Sequence, residues 1–160
     1  MEKRLISWSE LGRLSFELVK KIKLSQTTFD VVIGVARGGL PISMVIADRL
    51  ALPLDFINIK SYKGPGLKVP AKIFDILYAD VRQKSVLVVD DIVDTGETLM
   101  LISQHLIRNR GAGQVQVASL FVKPWAKVKP NYYVEEVDCW IVFPWELRES
   151  GMEDYEESLY

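Results

Sequence analysis

Residues Val86 to Thr98 read VLVVDDIVDTGET and constrain the fold more than any other stretch of the chain. Val86 to Val89 is an unbroken Val/Leu run, the pattern of a strand buried on both faces. Asp90 and Asp91 follow, placing two carboxylates at the strand's carboxyl end, where ligands gather in open α/β sheets. Thr95-Gly96-Glu97-Thr98 then leads into an apolar-periodic segment, Leu99 to Leu106. Small and hydroxyl residues at a helix start leave backbone N–H groups free, and these groups and the helix dipole attract an anion. Asp94 and Glu97 also have the spacing of a capping box, so a plain helix start is the structural alternative for this tetrapeptide. Two acids beside a phosphate cup suit a ribose phosphate, with the carboxylates accepting from two sugar hydroxyls while the cup holds the 5′-phosphate.

Hydrophobic run, acid pair and DTG-type loop occur in one contiguous order, and in that order VLVVDDIVDTGET resembles the phosphoribosyl-pyrophosphate (PRPP) signature of the type I phosphoribosyltransferases. The resemblance extends from near Val31 to Glu146. It implies a ribose- and phosphate-binding role for Asp90, Asp91, Thr95, Gly96, Glu97 and Thr98. Glu97 is a departure, because glycine or lysine is common there in related enzymes. Its carboxylate has to point away from the phosphate if binding is not to be weakened.

The rest of the chain reads as one α/β domain spanning residues 1–160. Ser7 and Glu10 have capping-box spacing, and Trp8, Leu11, Leu14, Phe16, Leu18, Val19 and Ile22 give a mostly helical stripe to about Leu24. Asp30 to Ala36 and Leu54 to Ile59 read as strands, with a helix from Pro41 to about Leu50 between them. Lys72 to Leu77, Val115 to Val122, Tyr132 to Val134 and Trp140 to Phe143 are further strand candidates. The acidic tail suits a helical turn or two. Strand–helix–strand alternation at this spacing predicts a doubly wound, mainly parallel sheet flanked by helices, with a small base-binding hood from the C-terminal segment.

Composition excludes several classes. Twenty basic against 21 acidic residues give a formal net charge of −1, so no nucleic-acid or membrane partner is expected. The apolar runs fall far short of a membrane span, and the N-terminus lacks a signal-peptide core, which predicts a cytoplasmic protein. Cys139 is the sole cysteine and reads as buried filler; His105, the sole histidine, has no partner for a zinc site.

A second anion site is expected at Arg37-Gly38-Gly39, after the first core strand. Adjacent glycines let backbone N–H groups approach a ligand, and Arg37 adds forked donors. By resemblance this is the pyrophosphate loop, with a cis peptide at Ala36-Arg37. Ser61-Tyr62 opens a segment to Pro70 that holds two glycines and two prolines without apolar periodicity. It reads as a mobile surface loop, and the resemblance makes it a lid over the reacting ribose.

Two features narrow the base. Family members acting on 6-oxopurines carry an acid at the place of Asp94, near purine N7, where it serves in acid–base catalysis. Lys123, Trp140, Ile141 and Glu146 resemble the base pocket of the xanthine-guanine and hypoxanthine-guanine enzymes. There Lys123 would donate to O6, Trp140 would stack, and the Ile141 carbonyl and Glu146 would accept from the 2-position edge. Trp125 and Trp145 read as core or interface aromatics.

The expected activity is purine salvage: a 6-oxopurine (guanine, xanthine or hypoxanthine) and PRPP give the purine nucleotide and pyrophosphate. Mg²⁺ is the implied cofactor, with Asp91 nearest the metal, and the implied assembly is a homo-oligomer, dimer or tetramer. The alternative is a PRPP- or nucleotide-binding regulator of the same fold. PRPP synthetase has a similar loop but needs two such domains, which 160 residues cannot hold.

Overall fold

The computed structural model of the chain describes residues 2–60, 63–64, 67–68, 72–152 and 154–155. Among them, in chain order, are β1 (Lys3–Leu5), α1 (Trp8–Leu24), β2 (Val31–Ala36), α2 (Gly39–Leu50), β3 (Leu54–Lys60), β4 (Lys63–Gly64), β5 (Leu67–Lys68), β6 (Lys72–Phe74), β7 (Ser85–Val93), α3 (Glu97–Arg108), β8 (Gln114–Val122), β9 (Tyr132–Glu136) and β10 (Trp140–Val142). Six strands form one sheet in the order β6-β3-β2-β7-β8-β9. Every pairing in it is parallel except that of β6 with β3, so the expected mainly parallel sheet is present.

The apolar strand runs work because both faces of the sheet are covered. Val32, Leu87 and Val89 face the side that packs against α1 and α2, with Leu14, Leu18, Ile22, Ile42 and Ile46. Their neighbours Val31, Ile33, Val86 and Val88 point the other way, toward Leu99, Ile102 and Leu106 of α3. Each fully buried Leu or Ile of these layers contributes roughly 1.5–3 kcal/mol. Helix α1 starts where Ser7 Oγ accepts from the Glu10 N–H at 3.1 Å. Its buried stripe takes Ser15 and leaves Phe16 at the surface, where the Arg49 guanidinium covers the ring at 4.9 Å.

Strand β7 is longer than its apolar run. The ladder with β8 continues through Asp90↔Ser119 and Ile92↔Phe121 to Val93↔Val122, so the acid pair lies within the strand, not after it. Backbone partners offered by the nine-residue β8 outweigh the local polarity of two aspartates. Face alternation slips at this point: Ile92 and Phe121 both pack on the α1–α2 side.

The chain order around β2 and β7 sets the site. From β2 it runs through α2 to β3 on one flank. From β7 it runs through α3, on the opposite face, to β8 on the other flank. Between the carboxyl ends of β2 and β7 the winding reverses, which opens a crevice.

The hood uses both ends of the chain. β10 pairs in parallel with β1, Lys3 opposite Trp140 and Leu5 opposite Val142, so the N-terminus contributes a strand that three residues without periodicity did not announce. Within the expected Ser61–Pro70 loop, β4 and β5 pair antiparallel. No described helix is long and apolar enough to cross a membrane.

Candidate functional site

Two loops meet at the reversal point. After β2, the Ala36–Arg37 peptide is cis, and Gly38 and Gly39 turn the chain into α2. A Cβ on Gly38 would lie 1.8 Å from Asp91 Oδ2, and one on Gly39 would lie 2.3 Å from the Val89 carbonyl. Only glycine lets this loop rest directly on the acid pair. Arg37 reaches outward, and its guanidinium bonds Glu149 at 2.5 Å.

The acids carry unfavourable charge. Asp90 and Asp91 are half-buried, and their carboxylates accept from the Asp91 N–H at 3.0 Å and the Ile92 N–H at 2.6 Å respectively. Burial pushes Asp90 up to about 6. Burial also pushes Asp91 well above the carboxylate range, with repulsion from Asp90 and Glu146 adding to it. Glu146, held by the Phe143 N–H at 3.4 Å, is raised as well, chiefly by burial. Three carboxyl groups gathered with so little compensation form a place that a hard cation or hydroxyl donors would stabilise. The described His, Cys, Asp and Glu side chains do not form a closed metal cage.

The turn at Thr95–Thr98 departs from the capping-box alternative. Gly96 is the N-cap of α3, with φ +86°, and no side chain caps the helix. Thr95 Oγ1 accepts from the Glu97 N–H at 3.3 Å. A Cβ on Gly96 would meet the Val128 carbonyl at 2.3 Å, so both conformation and crowding call for glycine. Glu97 is exposed, and Thr98 is half-buried on the first turn of α3. Asp94 caps nothing; its Oδ1 accepts from the Trp125 indole N–H at 2.7 Å.

Just after β8, Lys123 is buried, and its ammonium donates to the Cys139 carbonyl while lying 5.4 Å from the centre of the Trp125 ring. Trp140 is 53% exposed, so its ring keeps a free face. Trp140 donates its N–H to the Glu2 carbonyl, and the Val142 carbonyl accepts from Ile6. By strand alternation, the backbone groups of Ile141 turn to the opposite edge. Glu146 lies close enough to Asp91 and Arg37 to interact with both charges, which sets it beside the acid pair as well as the hood.

The structure thus brings Arg37, Gly38, Gly39, Asp90, Asp91 and Glu146 together, and it joins Asp94 to Lys123 through Trp125. Ser61 and Tyr62 lie outside the described residues. Trp145 packs as expected, stacked on Phe143 at 4.9 Å. Trp125 is not a core residue: it is 51% exposed, and it meets Asp94 and Lys123. The signal in sequence was its place two residues after Lys123. Glu149 also went unread, lying just before the acidic tail. His105 Nε2 pairs with Asp75 at 2.6 Å.

Comparison with known proteins gives the following. The model of the phosphoribosyl transferase domain family matches residues 5–156. A solved purine phosphoribosyltransferase from Pyrococcus horikoshii superposes with TM-score 0.79 at 37% identity, covering 91% of this chain and 95% of that one. The xanthine-guanine-hypoxanthine phosphoribosyltransferase of Helicobacter pylori also gives TM-score 0.79, at 26% identity over 96% and 99% of the two chains. A xanthine-guanine phosphoribosyltransferase of Chromohalobacter salexigens is 32% identical over 89% of this chain and 83% of its own length.

Proposed function

The chain belongs to the phosphoribosyl transferase domain family, and on that premise we propose that it is a purine salvage enzyme joining a 6-oxopurine to PRPP, releasing the nucleoside 5′-monophosphate and pyrophosphate. The observation that carries this reading is the packing of Gly38 on Asp91 at the sheet's reversal point, with Asp94 after β7 and Lys123 after β8 bridged by Trp125. Sugar, pyrophosphate and base would each find matching chemistry there.

Asp90 and Asp91 accept from the ribose hydroxyls, and the loop of Thr95, Gly96, Glu97 and Thr98 holds the 5′-phosphate on free amides at the start of α3. Arg37, Gly38 and Gly39 receive the pyrophosphate, with Arg37 exchanging Glu149 for the ligand. Asp91, with Asp90 beside it, would hold Mg²⁺, which when bound would supply neutralisation of the pyrophosphate charge. Trp140 stacks on the purine. Lys123 has three donors, one engaged by Cys139, and offers another to O6. The Ile141 carbonyl and Glu146 accept from the 2-position edge. As N9 attacks the anomeric carbon, the bond to pyrophosphate breaks with inversion, and Asp94 takes the N7 proton. Ser61 and Tyr62 open the segment that would cover the reacting carbon from water.

The half-exposed Leu54 and Phe56 on one face of β3 are surface that a second copy would cover, which supports a homo-oligomer. We place the protein in the cytoplasm on the strength of its salvage role. A regulator of the same fold is not favoured, since these relatives are named for catalysis. The test is a panel of purified protein, PRPP and Mg²⁺ with each nucleobase, following nucleotide release. Turnover of guanine, xanthine or hypoxanthine with rejection of adenine is expected; adenine used as readily as guanine would overturn the assignment.

A further inference from the structure

The placement of Trp125 is not explained by its apolar body. The side chain is half-exposed, on the turn that follows β8. That turn is already fastened to the end of β7 and the phosphate loop without it. The Lys123 N–H donates to the Val93 carbonyl at 2.8 Å, and the Lys127 N–H donates to the Thr95 carbonyl at 3.0 Å. Val128 fills the space beside Gly96. What the indole adds is polar. Its N–H donates to Asp94 Oδ1 at 2.7 Å, and its ring lies under the Lys123 ammonium at 5.4 Å. One side chain therefore touches both polar groups that the base would meet.

We propose that Trp125 is a positioning residue for purine transfer: its N–H fixes one oxygen of Asp94, leaving the other to take the purine proton, while its ring steadies Lys123 for O6. This rests on the reading of Asp94 as the proton-handling group. Asp94 is otherwise exposed, and an exposed carboxylate turns freely about its side-chain torsions. An N–H bond to a charged oxygen is stronger and more directional than a neutral one. Indole nitrogen donates only, so the contact persists whether or not the free carboxylate oxygen carries a proton. Holding the acceptor in a reactive position lowers the barrier without altering the chemistry.

Two measurements test this. The chain has four tryptophans, hence four indole N–H signals in a ¹⁵N-correlated NMR spectrum, and Trp125→Phe assigns one. Asp94→Ala should move that signal toward the free-indole position; a signal left in place would overturn the contact whatever the activity. In steady-state kinetics, Trp125→Phe should lower kcat about tenfold, the loss of roughly one charge-assisted hydrogen bond. The PRPP KM should stay within about twofold, and in an Asp94→Ala background the same substitution should change kcat by less than about twofold. Equal losses in both backgrounds would mean that Trp125 acts on the loop as a whole, and would overturn the proposal. Wild-type protein inactive on every 6-oxopurine overturns the functional reading and the catalytic part of this proposal together, and is told apart from a failed contact by the NMR shift.

Discussion

Replacing Asp90 with Asn should stabilise the protein at neutral pH while weakening its hold on PRPP. In the folded chain burial pushes the Asp90 carboxyl up to about 6, from an ordinary 3.8. The folded state therefore keeps a proton that the unfolded chain releases. Stability is greatest below the unfolded value, falls as pH rises from about 4 to about 6, and stays low above that. Each pKa unit corresponds to about 1.36 kcal/mol, so a rise of about two units costs at most about 3 kcal/mol at pH 7.5. Because Asp90 and Asp91 repel and share the burden, 1–3 kcal/mol is the working order of magnitude. Asn is isosteric and uncharged, so it removes this cost. For a domain of this size each kcal/mol moves Tm by roughly 2–4 °C, and Asp90→Asn should melt roughly 2–12 °C above wild type at pH 7.5. At pH 4, where wild type keeps the proton, the two should nearly coincide. Paired melts at pH 4 and 7.5 are the assay. A Tm difference that is negative, or the same at both pH values, would refute the account of a desolvated acid pair kept for function at the expense of stability.

Four further outcomes follow from the same geometry. Asp94→Asn should lower turnover of 6-oxopurines by roughly 10- to 10⁴-fold with little change in PRPP affinity by calorimetry; near-wild-type turnover would remove its assigned role. Gly38→Ala places a Cβ 1.8 Å from Asp91 Oδ2. It should cost about 1–3 kcal/mol of stability by denaturant unfolding and also weaken PRPP binding, and an unchanged midpoint would show that the loop does not rest on the acids. Trp140→Ala should raise the base KM more than the PRPP KM, by a factor equivalent to roughly 1–3 kcal/mol. Lys123→Met should relax discrimination against adenine, since the unpaired donor that rejects its 6-amino group is gone; equal discrimination in the variant would assign the selectivity elsewhere.

Much of this was legible from sequence because its signals are local. The Val86–Val89 run announced a strand covered on both faces, Ser7 announced the start of α1, and the glycines at 38, 39 and 96 mark close backbone approach. What escaped depends on partners distant in sequence. Asp90 and Asp91 ended the apolar run and so suggested the end of β7, yet the β8 ladder carries the strand on to Val93. β1 is Lys-Arg-Leu, a strand only because β10 lies beside it. Phe16 fits a loose helical stripe, but the tighter face takes Ser15, whose hydroxyl is satisfied by the Leu11 carbonyl at 2.7 Å. Trp125 reads as a core or interface aromatic, while its indole N–H and the Asp94 carboxylate, 31 residues apart, meet only in the fold.

The central claim is that the crevice between β2 and β7 binds a ribose pyrophosphate through its paired acids. Titration calorimetry of PRPP with Mg²⁺ into wild type, Asp90→Ala and Asp91→Ala measures this directly. One PRPP per chain should bind wild type, more weakly without Mg²⁺, and each variant should lose roughly tenfold or more in affinity, as expected when charge-assisted contacts are removed. Wild type that binds no PRPP, or variants that bind it as tightly as wild type, would contradict the claim and return Asp90 and Asp91 to a purely structural place in β7.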